Sequence, residues 1–221
     1  VSGHPMNEFA GIDDALDYLP SEALVKRISR DRFRFCGVIS NLTKRLTKKD
    51  NKPWAYFTLS SRHGKSLQIN FFPAAYEKCK DMLIDGSCVC VVGECRSENG
   101  GDVRFNGESV SSMSFAATSA IKNCDWVIEP EMHAQRFIKM LSNYIYKDAG
   151  AGSVEHRIFL KAGAEDVLEV AASENMRSGF NARAFKLLCS EPALIKMKAR
   201  AIPIPEREKP KWGGYKNKTA Q

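Results

Sequence analysis

The seven cysteines of this 221-residue chain are odd in number and include no Cys-x-x-Cys pair, and its four histidines are scattered. Structural zinc sites want closely spaced ligands, so no metal site is expected here. Reduced thiols are the expectation, with Cys88 and Cys90 sharing one face of a strand and packing as small hydrophobes. No apolar run approaches the roughly 20 residues needed to cross a membrane, and no signal peptide is visible. A cytoplasmic location without membrane contact is therefore expected. Also missing is a cluster of aspartates of the kind that holds paired catalytic metal ions. Asp13-Asp14 comes closest, and adjacent carboxylates early in a short helix are more simply a capping charge pair. His4 is followed by Pro5, has no nucleophile or carboxylate pair nearby, and reads as a turn residue. There is no initial Met either. The chain opens on Val-Ser-Gly-His-Pro, as a piece of a longer protein would.

What is present is ordinary in bulk and uneven in placement. Hydrophobic content of 43% and charged content of 27% suit a folded chain of one or two domains. The formal net charge is +7, but the 26 residues from Lys196 onward carry eight Lys/Arg against two Glu. The rest of the chain is close to neutral. A second basic site is the loop Lys44-Arg45-Leu46-Thr47-Lys48-Lys49-Asp50-Asn51-Lys52, with five cations and one anion. Either site could meet phosphate, an acidic surface or water alone.

Residues 1–29 read as a lead-in, with short helices at 12–19 and 24–28 separated by Pro20. From Arg32 the period changes to two. Phe33, Phe35, Gly37 and Ile39 alternate with Arg34, Cys36, Val38 and Ser40, and both sets are partly apolar. That pattern predicts a strand covered on both faces or bent between two sheets, with Gly37 permitting the bend. After the basic loop, Ala55, Phe57 and Leu59 fall on one face of a second strand and Trp54, Tyr56 and Thr58 on the other. A turn at 62–65 leads to a third strand, with Leu67, Ile69 and Phe71 opposite Gln68, Asn70 and Phe72. Pro73 opens a helix to about Ile84, a fourth strand covers 88–95, Asn99-Gly100-Gly101 makes a hairpin turn, and a fifth strand covers 103–110.

Five strands with a helix between the third and fourth is the order of an OB-fold barrel. Such barrels take oligonucleotides on the face of strands two and three and with the first and fourth connecting loops, here Trp54 and Tyr56, the loop 44–52 and the turn near Asn99. The fold alone leaves sugars and proteins open as ligands. Beyond it, 114–123 reads as a linker or short helix and 126–128 as a short strand. An apolar stripe of Phe137, Ile138, Leu141 and Ile145 predicts a helix starting at Pro130. Strands at 154–160 and 167–171, a helix capped by Asn181 and a strand at 194–199 complete a small α+β unit. The fold class is therefore β plus α+β: a lead-in at 1–29, a five-stranded OB-fold barrel at 30–113, an α+β domain at 114–202 and a basic tail at 203–221.

An ordered set of segments carries a family resemblance: Ser2-Gly3-His4-Pro5, Cys36-Gly37-Val38-Ile39, Thr47-Lys48-Lys49, the run from Lys52 to Leu59, and Phe71-Phe72-Pro73 with the Tyr76 helix. Together they resemble the C-terminal region of the bacterial DNA polymerase III alpha subunit, over residues 1–113. That resemblance implies a bacterial protein, an upstream helix-hairpin-helix region ahead of the barrel, and a last domain that docks the tau subunit of the clamp loader. It implies DNA-directed DNA polymerase activity, with Mg2+ at its active site, for the parent chain. This stretch itself is expected to be noncatalytic and to need no cofactor. One departure lies in the loop, where the family often has a single Gly at the turn and this chain has Asp50-Asn51. Asn tolerates left-handed backbone geometry, so the hairpin survives.

The expected ligand is single-stranded template DNA, with Lys44, Arg45, Lys48, Lys49 and Lys52 on phosphates and Trp54 and Tyr56 as stacking faces. In the tail, Trp212 and Tyr215 are the expected anchors for a protein partner, because aromatics bring large contact area at modest entropic cost. The competing reading is an assembly module, with Trp54 and Tyr56 packed against another polymerase domain and no nucleic-acid contact. An RNA-binding OB protein is a third, and it leaves the Gly-His-Pro lead-in and the second domain unexplained.

Overall fold

Gly37 sits where one long strand changes partners. In the computed structural model, described over residues 3–19, 31–97, 103–130, 132–147, 154–162, 167–170, 176–179 and 181–204, β1 spans Asp31–Leu46. Its first half pairs with β4 (Cys88–Ser97), from Asp31 opposite Cys95 to Val38 opposite Cys88. The second half pairs with β2 (Pro53–Ser60), from Val38 opposite Ser60 to Leu46 opposite Pro53. At the changeover a Cβ on residue 37 would lie 2.6 Å from the Ser60 carbonyl oxygen, so the close approach needs glycine. A bulge between Ser40 and Thr43, with Asn41 at φ 56°, bends the strand further.

β3 (Ser66–Phe71) pairs antiparallel with β2 and parallel with β5 (Val103–Ser112), which returns to β4. The circuit β1-β2-β3-β5-β4 closes. Between β3 and β4 lie α2 (Pro73–Cys79) and a 3-10 turn (Lys80–Met82), in place of the single helix expected to Ile84. This is an OB-fold barrel. Alternation decides its inside: Phe33, Phe35, Phe57, Leu59, Ile69, Phe71 and Val91 are at most 1% exposed, with Leu83 and the α2 residues Tyr76 and Cys79 closing one end.

The second unit begins as soon as the barrel closes. Ser112 caps α3 (Met113–Ala120), accepting from the Phe115 amide at 3.2 Å. β6 (Ile121–Ile128), α4 (Met132–Lys147) and β7 (Val154–Lys161) form a parallel crossover. β8 (Val167–Val170) and the two-residue β9 (Arg177–Ser178) add to β7, and α5 (Ala182–Cys189) precedes β10 (Leu194–Ala201), which pairs with β6. The sheet order is β10-β6-β7-β8. Phe137 and Leu141 from the expected α4 stripe are fully buried, and the Asn181 side chain accepts from Ala184 N at 3.1 Å.

The first residues are not a free connection to the barrel. A 3-10 helix (Pro5–Phe9), capped by His4, and α1 (Ile12–Leu16) place Met6, Phe9, Ile12 and Leu16 in the core shared with Trp126, Phe137 and Phe185. Their spacing of three, three and four residues is the trace of this buried stripe in the sequence. Cys36 and Cys90, on the outer face of the barrel, belong to the same core, which explains why both faces of β1 are apolar. All seven cysteines are free. Burial pushes the Cys95 thiol up to about 11 and the Cys124 thiol up to about 12, so these thiols stay protonated.

Polar clasps fix the lead-in. Arg34 donates from Nε to the Leu16 carbonyl and from Nη1 to the Ile202 carbonyl. Asp17 accepts from the Cys36 amide at 2.7 Å, and burial raises its carboxyl to about 7. Arg62 binds both carboxylates of Asp13 and Asp14, and His63 reaches Asp14 at 2.7 Å. The region of the second expected lead-in helix at 24–28 lies outside the described residues, as do the Asn99 turn, Trp212 and Tyr215.

Candidate nucleic-acid interface

Among the described residues, the outer face of β2 and β3 is the barrel surface that combines solvent-facing rings with the basic hairpin. Alternation that buries Ala55, Phe57 and Leu59 must point Trp54, Tyr56 and Thr58 outward, and all three are half-buried. Opposite them on β3, Leu67, Ile69 and Phe71 point in and Gln68 and Asn70 out. Phe72 continues the outward set one residue past the strand and is 52% exposed. Its place is well fixed. Pro73 holds it in an extended conformation at the N-terminal cap of α2, where its carbonyl accepts from Ala75 and Tyr76 amides at 2.9 and 2.8 Å.

Three rings therefore lie together. Trp54 and Phe72 have centroids 6.1 Å apart and planes 21° from parallel. Trp54 and Tyr56 are 5.7 Å apart at 38°. Arg45, opposite Trp54 in the β1–β2 register, lays its guanidinium 5.3 Å from the Tyr56 centroid and donates from Nη2 to the Tyr56 hydroxyl at 3.2 Å. Phe72 was not among the residues singled out from the sequence. Its parity with Gln68 and Asn70 was the available signal.

The basic loop is tighter than its composition suggests. Lys44, Arg45 and Leu46 belong to β1, and only Thr47–Lys52 form the turn. Thr47 closes that turn: its amide donates to the Lys52 carbonyl at 2.9 Å, and its hydroxyl accepts from the Lys52 amide at 3.0 Å. Asn51 sits at φ 50°, the left-handed geometry expected of the Asp50-Asn51 pair. The five cations do not share one face. Arg45 is on the face of the rings, while Lys44 pairs with Ala55 and so projects from the opposite face of the ribbon. Lys48 and Lys49 are exposed at the tip, and Lys52 lies 3.8 Å from Asp50. The structure thus brings Arg45, Trp54, Tyr56 and Phe72 together, sets Lys48, Lys49 and Lys52 beyond them, and separates Lys44.

Two other constellations have chemical potential on paper. Asp13, Asp14 and His63 bring three potential metal-ligand atoms within 4.8 Å of one another. Arg62 occupies the same cluster, donating to Asp13 Oδ2 at 3.0 Å and Asp14 Oδ2 at 2.9 Å, so the carboxylates already have their counter-charge. Ser178 and His156 form the second pair, 2.7 Å apart. Trp126 Nε1 donates to His156 Nδ1 at 3.2 Å, which puts the ring proton on Nε2, facing Ser178. Ser178 in turn donates to the Gly179 carbonyl at 2.8 Å. Burial lowers the His156 pKa to about 4, and the two residues are 2% and 0% exposed. With every proton spoken for and both side chains shut inside the core, this is a neutral core network.

A match to a known family model agrees with the barrel. Residues 33–137 match the family model described as an OB-fold nucleic acid binding domain. The DNA polymerase III subunit alpha of Caulobacter vibrioides is 24% identical over 123 residues, which is 55% of this chain and 10% of that protein. The corresponding subunit of Saccharopolyspora erythraea is 28% identical over 85 residues, 38% of this chain and 7% of that protein. The chain thus spans a tenth or less of the length of these relatives. Among solved structures, the mitochondrial single-stranded DNA binding protein Rim1 of S. cerevisiae aligns with 38% of this chain and 96% of its own, at 16% identity and a TM-score of 0.32. The SSB domain of a Synechococcus sp. protein aligns with 37% of this chain and 94% of its own, at 12% identity and a TM-score of 0.33. No helix among the described residues is long and apolar enough to cross a membrane. The chain carries an OB-fold domain with partial similarity to DNA polymerase III alpha subunits.

Proposed function

We propose that this chain is a noncatalytic part of a bacterial DNA polymerase III alpha subunit, and that its barrel holds single-stranded template DNA. The observation that carries the reading is the ring cluster of Trp54, Tyr56 and Phe72 beside Arg45 and the lysine-tipped hairpin. Aromatic faces accept bases of any sequence, and the cations supply phosphate contacts along the same path. The similarity to two alpha subunits supports the polymerase context. The second unit and the tail that follows it are the part that would meet the clamp loader tau subunit and other domains of the polymerase, with Trp212 and Tyr215 as anchors.

Fluorescence anisotropy of the 221-residue chain with labelled oligo-dT tests the first half. Binding whose log affinity falls with log salt supports it. An absence of binding at low salt, together with capture of a purified tau subunit, favours the assembly-module reading, in which Trp54 and Tyr56, with the exposed Phe72 beside them, pack on protein. Capture of tau that is lost on deleting 205–221 supports the role given to the tail.

A further inference from the structure

We propose that Cys36 and Cys90 form an oxidation site: a small-molecule disulfide converts these facing thiols into a cross-strand disulfide, and the lead-in helices are its cover. This holds whatever ligand the barrel takes.

Register makes the pair. Cys36 on β1 lies directly opposite Cys90 on β4, and both are free, at 0% and 2% exposure. Opposed residues of an antiparallel ladder are of two kinds. Their Cα atoms are about 5.5 Å apart where they exchange backbone hydrogen bonds and about 4.5 Å where they do not. The bonds along β1 say which kind this is. Arg34 exchanges backbone hydrogen bonds with Tyr18 at 2.7 and 2.8 Å, and the Cys36 amide donates to the Asp17 carboxylate. These amides face the lead-in and not β4. Ile39, of the other parity, donates to the Ser87 carbonyl at 3.0 Å, at the β4 end. Cys36 and Cys90 are therefore a close pair without mutual backbone bonds, within the roughly 4.4–6.8 Å between Cα atoms that a disulfide spans. Their thiols hydrogen-bond to each other. No other cysteine of these ladders faces a thiol: Cys88 lies opposite Val38, Cys95 opposite Asp31 and Cys124 opposite Ala199.

The cover is the start of the chain. Met6, Phe9, Ile12 and Leu16 share one core with the pair, and Asp17 holds the Cys36 amide. From the barrel side, Arg62 fastens Asp13 and Asp14. Burial, with the Cys90 thiol and Asp17 beside it, holds the Cys36 thiol well above its ordinary range. A thiolate is the attacking species, so the seated pair is inert, and lifting the lead-in admits both water and oxidant.

The chemistry is thiol–disulfide exchange. The Cys36 thiolate attacks one sulfur of the small disulfide, which forms a mixed disulfide and expels one small thiolate. The Cys90 thiolate then attacks the Cys36 sulfur, which forms the cross-strand bond and expels the second. The protein dithiol is oxidised, the small disulfide is reduced to two thiols, and the two protein protons end on them.

The test is incubation of the full chain with oxidised glutathione, then alkylation of free thiols and peptide mass spectrometry. The expected product joins Cys36 to Cys90, is two hydrogens lighter than the starting chain and reverts with dithiothreitol. Cys90→Ser should abolish it. Loosening the cover should speed it: Leu16→Ala by about tenfold or more, since it takes a buried side chain from the lead-in core. Where Leu16→Ala melts early, Arg62→Ala, which frees Asp13 and Asp14, carries the comparison. A folded chain that forms no such link, or that links Cys90 elsewhere, overturns the site. A rate unmoved by loosening the cover overturns the role of the lead-in.

Discussion

Trp54 and Phe72 come from different elements, a strand and a helix cap, yet their rings lie 6.1 Å apart and 21° from parallel on one face of the barrel. Each supports the other's orientation. We expect Trp54→Ala and Phe72→Ala each to weaken oligo-dT binding by about 1–3 kcal/mol. The double variant should lose less than the sum, because removing one ring already loosens its neighbour. Titration of the three variants gives the coupling, and strict additivity would mean that the rings bind independently.

Electrostatic contributions should divide by face. Lys48→Ala with Lys49→Ala is expected to lower the slope of log affinity against log salt by roughly 1.4. Arg45→Ala should cost more than Lys44→Ala, since Arg45 holds Tyr56 while Lys44 projects from the other side of the ribbon. A salt series on the four proteins checks both statements, and equal losses at 44 and 45 would refute the division.

Gly37 is held to glycine by the approach of β2. Gly37→Ala puts a methyl group 2.6 Å from the Ser60 carbonyl oxygen and against Leu59. Backbone cannot yield there without opening the β1–β2 register, so destabilisation of about 1–3 kcal/mol is expected. Urea denaturation monitored at the tryptophans measures it. Gly64→Ala, with open space around it, should lose less despite its φ of +80°.

The buried His156 and the half-buried Asp17 pull stability in opposite directions with pH. Burial lowers the His156 pKa to about 4, below the ordinary imidazole value of 6.5, so the unfolded chain binds the extra proton first. Its contribution is full above pH 6.5 and is lost as pH falls toward 4, by about 3 kcal/mol at most. Asp17 has its pKa raised to about 7 from 3.8, so the folded chain binds the extra proton between those values. Its effect favours folding at low pH and fades as pH rises through 7. Wild type should therefore show a shallow profile between pH 4 and 6.5. Asp17→Asn retains the acceptor for the Cys36 amide and removes the offset, so its denaturation midpoint should fall more steeply with acid than that of wild type. Parallel profiles would contradict the assignment.

Much of the barrel was legible because strand alternation and burial coincide: Ala55, Phe57 and Leu59 read as inward and are buried. The bend at Gly37 was legible for the same reason, since both faces of β1 carry apolar residues. The single helix to Ile84 failed because Leu83 keeps the helical spacing of Tyr76 and Cys79 although the backbone tightens to a 3-10 turn at Lys80–Met82. β9 escaped notice because two residues carry no periodicity, and with it went the Trp126–His156–Ser178 network, whose members come from three strands. At the candidate interface, the rings of Trp54 and Tyr56 and the cation of Arg45 could be named from composition. That Lys44 faces away follows only from the β1–β2 register, which no local pattern specifies. The face of Phe72, in contrast, was legible from its parity with Gln68 and Asn70, and only its stacking on Trp54 was not.

The seating of α1 has a consequence for how the chain assembles. Residues at the very start rest against β10, where a Cβ on Gly11 would strike the Met197 side chain, and Arg34 grips both Leu16 and Ile202. The turns that come first in this stretch must therefore wait for almost its last described strand before they find their place. Until then the back wall of the barrel, with Cys36 and Cys90, stays wet and sticky, and such end-to-end closure slows folding. The early helices are a keystone: made first, set last.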